Sequence, residues 1–131
     1  MAGSHDLSRV EPLLLVAVGG FAGAVLRRSV ALATPGVAAL DGAVVGTLVV
    51  NVVGSFALGV LLYEAHLANA LSAETRLVLG TGFLSSFTTY STFAVQTSEL
   101  APALAVTNVA ANYALAFAGV VLGRLVARWL S

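Results

Sequence analysis

Four apolar segments, at about 12–33, 43–63, 75–98 and 103–126, take up most of this 131-residue chain, and no Asp or Glu falls inside any of them. Each has about the 20 residues that an α-helix needs to cross hydrocarbon. The wider composition agrees: mean hydropathy is +0.98 and 9% of residues are charged, against about a quarter in soluble domains. The expected fold is an all-α integral membrane protein of four transmembrane helices. Residues 1–11 form a polar N-terminal tail, and 12–131 the membrane domain. Nothing else in the length leaves room for a soluble domain. The chain has no cysteine, which excludes disulfides and thiolate metal sites. Its formal net charge is zero and it has no basic run, so nucleic acid is not an expected partner.

The third segment is the unusual one. Ser85, Ser86, Thr88, Thr89, Tyr90, Ser91 and Thr92 place seven hydroxyls between Leu77-Val78-Leu79 and Phe93-Ala94-Val95. Lipid satisfies neither hydroxyls nor free backbone, so irregular polar chain at that depth must face protein, water or an ion. The plain alternative is a continuous helix whose hydroxyls bond back to the preceding turn.

Other polar residues are placed as sparingly. Asn51 falls in the middle of the second segment, where an unpaired amide is costly. A helix–helix hydrogen bond and a functional role are equally open to it on this evidence. Asn108 and Asn112 are four apart and share a helix face, with Tyr113 beside them. Gly19, Gly20 and Gly23 give small-residue spacings that let helices approach closely. Thr34-Pro35-Gly36 breaks the chain after the first segment. Glu64 to Glu74 form a polar connection, in which a lone His66 is read as solvated rather than metal-binding. Ala31-Leu32-Ala33 resembles a signal-peptidase site, but Arg27-Arg28 interrupts the apolar run that a signal peptide needs. The stretch from Asn51 to Leu58 faintly echoes Asn108 to Leu115; in so restricted an alphabet a parallel repeat and coincidence are equally open. With four spans, Arg9, Arg76, Arg124 and Arg128 lie on one side and Arg27 and Arg28 on the other. This weak bias permits insertion in both orientations.

Three stretches resemble the CrcB/Fluc family of fluoride channels. Gly82-Phe83 followed by Thr88-Thr89-Tyr90-Ser91-Thr92-Phe93 is similar to the family's third-helix signature, Gly-Phe-x-Gly-Gly-x-Thr-Thr-Phe-Ser-Thr-Phe. Ser85-Ser86 stands where the family usually has Gly-Gly, and Tyr90 where it has Phe. Gly46-Thr47 through Asn51, Gly54 and Phe56 resembles the second-helix motif closely. Gly19-Gly20-x-x-Gly23-Ala24-x-x-Arg27 resembles the first, with Arg28 in place of the usual aromatic. The fourth segment carries no comparable motif.

The resemblance implies a passive fluoride-selective channel in the cell membrane, multi-pass, that exports cytoplasmic fluoride. It further implies a third helix broken at its centre and an antiparallel dual-topology dimer, of two copies or of this chain with a paralogous subunit. Tyr90 and Phe93 would line the pore with Asn51, Ser91 and Thr92 beside them, and Asn108 and Asn112 would replace a hydroxyl track. Arg27 would stand at the vestibule. Backbone carbonyls at Ser85 and Thr88 would hold a structural sodium ion at the dimer centre; a positive φ at Ser85 would strain a residue that is not glycine.

The residues suit such a path on their own chemistry. Hydroxyls and amides donate to a small hydrated anion, whereas ionised carboxylates only accept. Aromatic ring edges carry the positive part of the quadrupole. The absence of acid from the spans argues against a proton relay, and hence against a small four-helix proton-coupled exporter, whose acid would have to be Glu11 at the membrane edge. A weakly conducting or non-conducting subunit of a heteromeric channel is the other alternative, raised by Tyr90 and Ser85-Ser86.

Overall fold

The computed structural model describes residues 2–64 and 70–131, with side chains from residue 8 onward. His66 lies outside the described residues. Helix α1 runs Ala2–Ala33, α2 Gly42–Tyr63, α3 Ala73–Arg76, α4 Ser85–Phe87, α5 Ser91–Glu99 and α6 Pro102–Leu130. A π-helical stretch, Leu77–Leu84, joins α3 to α4. Among the described residues no strand forms, apart from an isolated bridge between Val37 and Leu40.

The described chain is thus all-helical, and among the described residues three parts, Ser8–Ala33, Gly42–Tyr63 and Pro102–Leu130, are long and apolar enough to cross a membrane. These match the first, second and fourth expected segments. The polar tail extends α1 rather than standing apart, and Pro12 lies within that helix. The segment expected third is helical in pieces, interrupted at 88–90.

Local chemistry sets the ends of these elements. Asp41 caps α2 by accepting from Val44 N at 3.0 Å. Ser72 caps α3 through Thr75 N at 3.2 Å. Pro102 opens α6, where its missing N–H costs nothing.

Two seams of glycine then bring the elements together. A Cβ at Gly19 or Gly23 of α1 would collide with the carbonyls of Val78 or Phe83 on the segmented stretch. At Gly82 it would stand 2.8 Å from the Val16 carbonyl. On the other seam, Gly59 of α2 and Gly123 of α6 meet the Val120 and Phe56 carbonyls in the same way. Backbones this close gain dispersion and Cα–H···O contacts. They do so without a thick core: among the described residues the large apolar side chains that are buried are Val44, Val50, Leu84, Phe87 and Phe93. Phe21, Val106 and Phe117 instead point outward at 70–75% exposure. Such a surface suits lipid or another chain, since water would penalise patches of this extent.

The connection after α2 is clamped by Glu64. Its carboxylate accepts from Arg76 Nε at 2.9 Å and Nη2 at 3.0 Å, and also from the Leu71 backbone N–H. The Arg76 hydrogen bond, then that of Leu71, lower its pKa from the ordinary 4.5 to about 2. A carboxylate whose pKa falls on folding stabilises the folded state above its unfolded value. Its contribution is full at neutral pH and disappears as pH falls from about 4.5 towards about 2. We expect Glu64→Gln to lower the thermal midpoint modestly at pH 7, since solvent screens the pair. The gap to wild type should close over that acid window. A gap independent of pH would show that the clamp does not act through the carboxylate charge.

Candidate functional site

The interruption at 88–90 is built by one residue of another helix. Thr88 takes an extended conformation (φ −79°, ψ 159°), and its N–H still reaches Leu84 O at 3.1 Å. One residue later the helical ladder fails. Thr89 N–H donates to Asn51 Oδ1 of α2 at 2.8 Å, and Asn51 Nδ2 donates to Thr89 O at 3.0 Å. A side-chain amide carries one donor side and one acceptor side, like a peptide group, so a single Asn satisfies both backbone groups of Thr89. Gly54 lets the strands of chain come this close, since a Cβ there would strike the Thr88 methyl. Past the break, Thr89 Oγ1 accepts from Thr92 N at 3.2 Å and caps the start of α5.

Asn51 is also tied to α6. Its Nδ2 donates to Asn112 Oδ1 at 3.3 Å, so both amide hydrogens of Asn51 are engaged. Asn112 and Asn108 are buried at 6% and 2% exposure. The helix–helix role left open for Asn51 by the sequence is therefore present, together with one the sequence did not suggest: holding the break.

Tyr90 leans on Phe93 with ring centroids 5.9 Å apart and planes at 50°. Phe93 in turn meets Tyr113 of α6 edge-on at 6.2 Å and 79°. Phe93 is buried, whereas Tyr90 is 71% and Tyr113 61% exposed. These rings line a groove of about 590 Å³ with Asn51, Ser85, Thr88 and Asn112. The Tyr90 hydroxyl makes no hydrogen bond among the described residues. In particular it does not reach Asn108 or Asn112, whose amides are paired with other groups.

A second, smaller cavity of about 260 Å³ lies on the other side of Thr89, which lines both. It holds Arg27, Arg28, Thr47, Thr92 and Gln96. Gln96 Oε1 is buried there with no partner among the described residues. Among the described residues no Asp or Glu lines either space. The expected site residues thus divide. Six gather at the groove: Asn51, Ser85, Thr88, Tyr90, Phe93 and Asn112. Arg27 and Thr92 belong to the second cavity, Ser91 is exposed outside both, and Asn108 is buried outside both.

The hydroxyls divide as well. Those of Ser85 and Thr88 bond back to the preceding turn, Thr88 to Leu84 O at 2.9 Å and Ser85 to Thr81 O and Gly82 O. Ser91 and Thr92 make no such bond among the described residues. Thr97 and Gln96 were not singled out by sequence; their only signal was polarity late in an apolar segment.

The oxygen set near Ser85 fits a cation without formal charge from the protein. In an unbroken helix the Ser85 carbonyl would receive Thr89 N–H, which here goes to Asn51. Ser85 itself keeps φ −64° and needs no left-handed backbone, so serine there carries no strain.

The family model described as "CrcB-like protein, Camphor Resistance (CrcB)" matches residues 14–124. A Haloarcula marismortui protein named "Fluoride-specific ion channel FluC 1" is 56% identical over 98% of this chain and 94% of its own length. A Natronomonas pharaonis protein of the same name is 53% identical over 89% and 94%. "Fluoride-specific ion channel FluC 2" of Halobacterium salinarum is 56% identical over 86% and 84%. The match spans every element of the site, from Arg27 through the break to Asn112, and the chain belongs to the CrcB family.

Proposed function

We propose that this multi-pass membrane protein is a fluoride-selective channel that lets fluoride leave the cytoplasm passively. It is a conduit rather than an enzyme. The observation that carries the reading is the break at 88–90: an acid-free polar interruption that sets the tilted Tyr90–Phe93 pair along the groove in a chain of the CrcB family. Ring edges and hydroxyls there offer a dehydrating anion positive contacts and no competing charge. The names of the three relatives support the same ion.

In this reading α3, the π stretch, α4 and α5 together make the third crossing, broken at its centre. One copy leaves its groove open and its aromatic residues outward. A second copy, packed antiparallel, would cover Tyr90, Tyr113 and Phe117 and close the path. Arg27, with Thr92, would draw anions into the vestibule. The Ser85 and Thr88 carbonyls would hold a sodium ion at the junction of the two breaks. Such an ion would supply fixed positive charge; the chain's part is to present uncharged oxygens, and Asn51 serves this by taking Thr89 N–H away from Ser85. A heteromeric assembly is the second reading, favoured by Tyr90, which lines the groove with a hydroxyl that has no partner among the described residues.

In liposomes containing the purified protein, electrode traces should show fluoride efflux far faster than chloride efflux. Comparable rates would refute the channel. Asn51→Leu removes both bonds to Thr89 and should cut fluoride efflux about 100-fold, the scale of loss when a site shifts by about 1 Å. Unchanged efflux in an intact assembly would remove Asn51 from the working site.

Sodium should raise the thermal midpoint while a bulky organic cation at equal ionic strength does not. Above saturation, each tenfold rise in sodium adds about 1.4 kcal/mol. Equal midpoints in the two salts would exclude the central ion.

Tyr90→Phe removes a hydroxyl that makes no hydrogen bond among the described residues, so the thermal midpoint should move by less than about 0.5 kcal/mol equivalent. Fluoride efflux through the protein expressed alone should rise. No change in efflux would place the hydroxyl outside the path and end the case for a second kind of subunit.

A further inference from the structure

We propose that Asn112, Asn108 and Thr97 are positioning residues of the conduction path: with Asn51 they form a one-way hydrogen-bond brace across the segment that carries Tyr90 and Phe93. The proposal rests on the channel reading for its function, and on geometry alone for its existence.

The brace runs head to tail. Thr89 N–H donates to Asn51 Oδ1 at 2.8 Å. Asn51 Nδ2 donates to Asn112 Oδ1 at 3.3 Å, and Asn112 Nδ2 to Asn108 Oδ1 at 3.1 Å. Asn108 Nδ2 donates to Thr97 Oγ1 at 2.9 Å, and Thr97 Oγ1 to Phe93 O at 2.7 Å. It begins at Thr89 and ends at Phe93, the two backbone points that bracket Tyr90, Ser91 and Thr92.

Both ends have a fixed sense, because a backbone N–H only donates and a carbonyl only accepts. Each amide between them therefore has one permitted orientation. Turning any one round would set oxygen against oxygen or NH₂ against NH₂. Burial of Asn108 and Asn112 makes such a mismatch expensive. A second bond, Asn112 Nδ2 to Asn108 O at 2.9 Å, uses the remaining Asn112 hydrogen.

Two consequences follow. No amide hydrogen of Asn51 or Asn112 is left over for an anion in this arrangement, so these groups act on the path by holding it. The brace also links α2, α6 and α5, so Thr97, a full turn beyond Phe93, bears on the placement of the aromatic pair. Phe93 is held twice, by its carbonyl in the brace and by the edge of Tyr113 on its ring.

The test uses the full chain in liposomes, with fluoride efflux and amide hydrogen exchange at Thr89 as readouts and gel-filtration elution as the check on assembly. Thr97→Val keeps the shape and removes the hydroxyl; Asn108→Leu removes the middle of the brace. Each should lower fluoride efflux about tenfold, a misplacement effect rather than a lost ligand. The double variant should be no worse than the single ones, because members of one chain are not additive. Thr97→Ser should restore efflux. Exchange at Thr89 N–H should quicken in Thr97→Val and Asn108→Leu and return to normal in Thr97→Ser. Losses that multiply in the double variant, efflux within about twofold of wild type in both single variants, or unaltered Thr89 exchange would each overturn the brace. If wild type carries no selective fluoride flux, the channel reading falls, and Thr89 exchange in the same variants still decides whether the brace exists.

Discussion

The paired bonds between the Asn51 amide and the two backbone groups of Thr89 are the interaction on which the rest of this molecule depends. Interrupting a helix inside an apolar chain strands an N–H and a C=O, each costly to leave unmet away from water. Asn51 meets both at 2.8 and 3.0 Å. Asp would present only acceptors, Leu neither. The same bonds take Thr89 N–H from Ser85, turn the chain so that Tyr90 faces the groove, and allow Thr89 Oγ1 to start α5. One amide thus ends one helix and fixes the direction of the next.

That amide reaches its target because the helices are held by contact between backbones rather than by a thick side-chain core. Gly54 admits Thr88, while Gly19, Gly23 and Gly82 join α1 to the segmented stretch. Gly59 and Gly123 join α2 to α6 and so bring Asn112 within reach of Asn51. A methyl group at these points would separate elements whose polar groups tolerate only a few tenths of an ångström. Lipid contributes no hydrophobic force between helices, so close approach and internal hydrogen bonds must supply the cohesion.

The polar groups of the chain fall into two populations with different physical roles. Asn51, Asn108, Asn112, Thr89 and Thr97 are committed to one another, and their order rigidifies the break. The hydroxyls of Tyr90, Ser91 and Thr92 and the oxygen of Gln96 have no partner among the described residues, and Tyr90, Thr92 and Gln96 line the two spaces on either side of Thr89. Saturated groups set geometry, and unsaturated ones beside a cavity remain available to whatever enters it.

The sequence by itself determined the all-helical class and three of the four apolar helices it led one to expect, and it marked the third segment as polar while leaving a continuous helix there open. Those follow from local quantities: apolar runs of span length without acid, the breaker after Thr34, and seven hydroxyls packed between Ser85 and Thr92. It also marked Asn51, because a lone amide in an apolar run is costly wherever the chain folds. What it could not carry was partnership. Asn51 and Thr89 are 38 residues apart, Asn51 and Asn112 61 apart, and no periodicity encodes which donor finds which acceptor. Tertiary structure alone decided that Asn108 is buried away from the groove and that Thr92 shares its cavity with Arg27 rather than with Tyr90. It alone brought in Thr97, whose hydroxyl reads as an ordinary helix residue until α6 lays Asn108 against it. The physical reason is that backbone and burial preferences act over one or two turns. A hydrogen bond between helices exists only once glycine seams have set the distance between them.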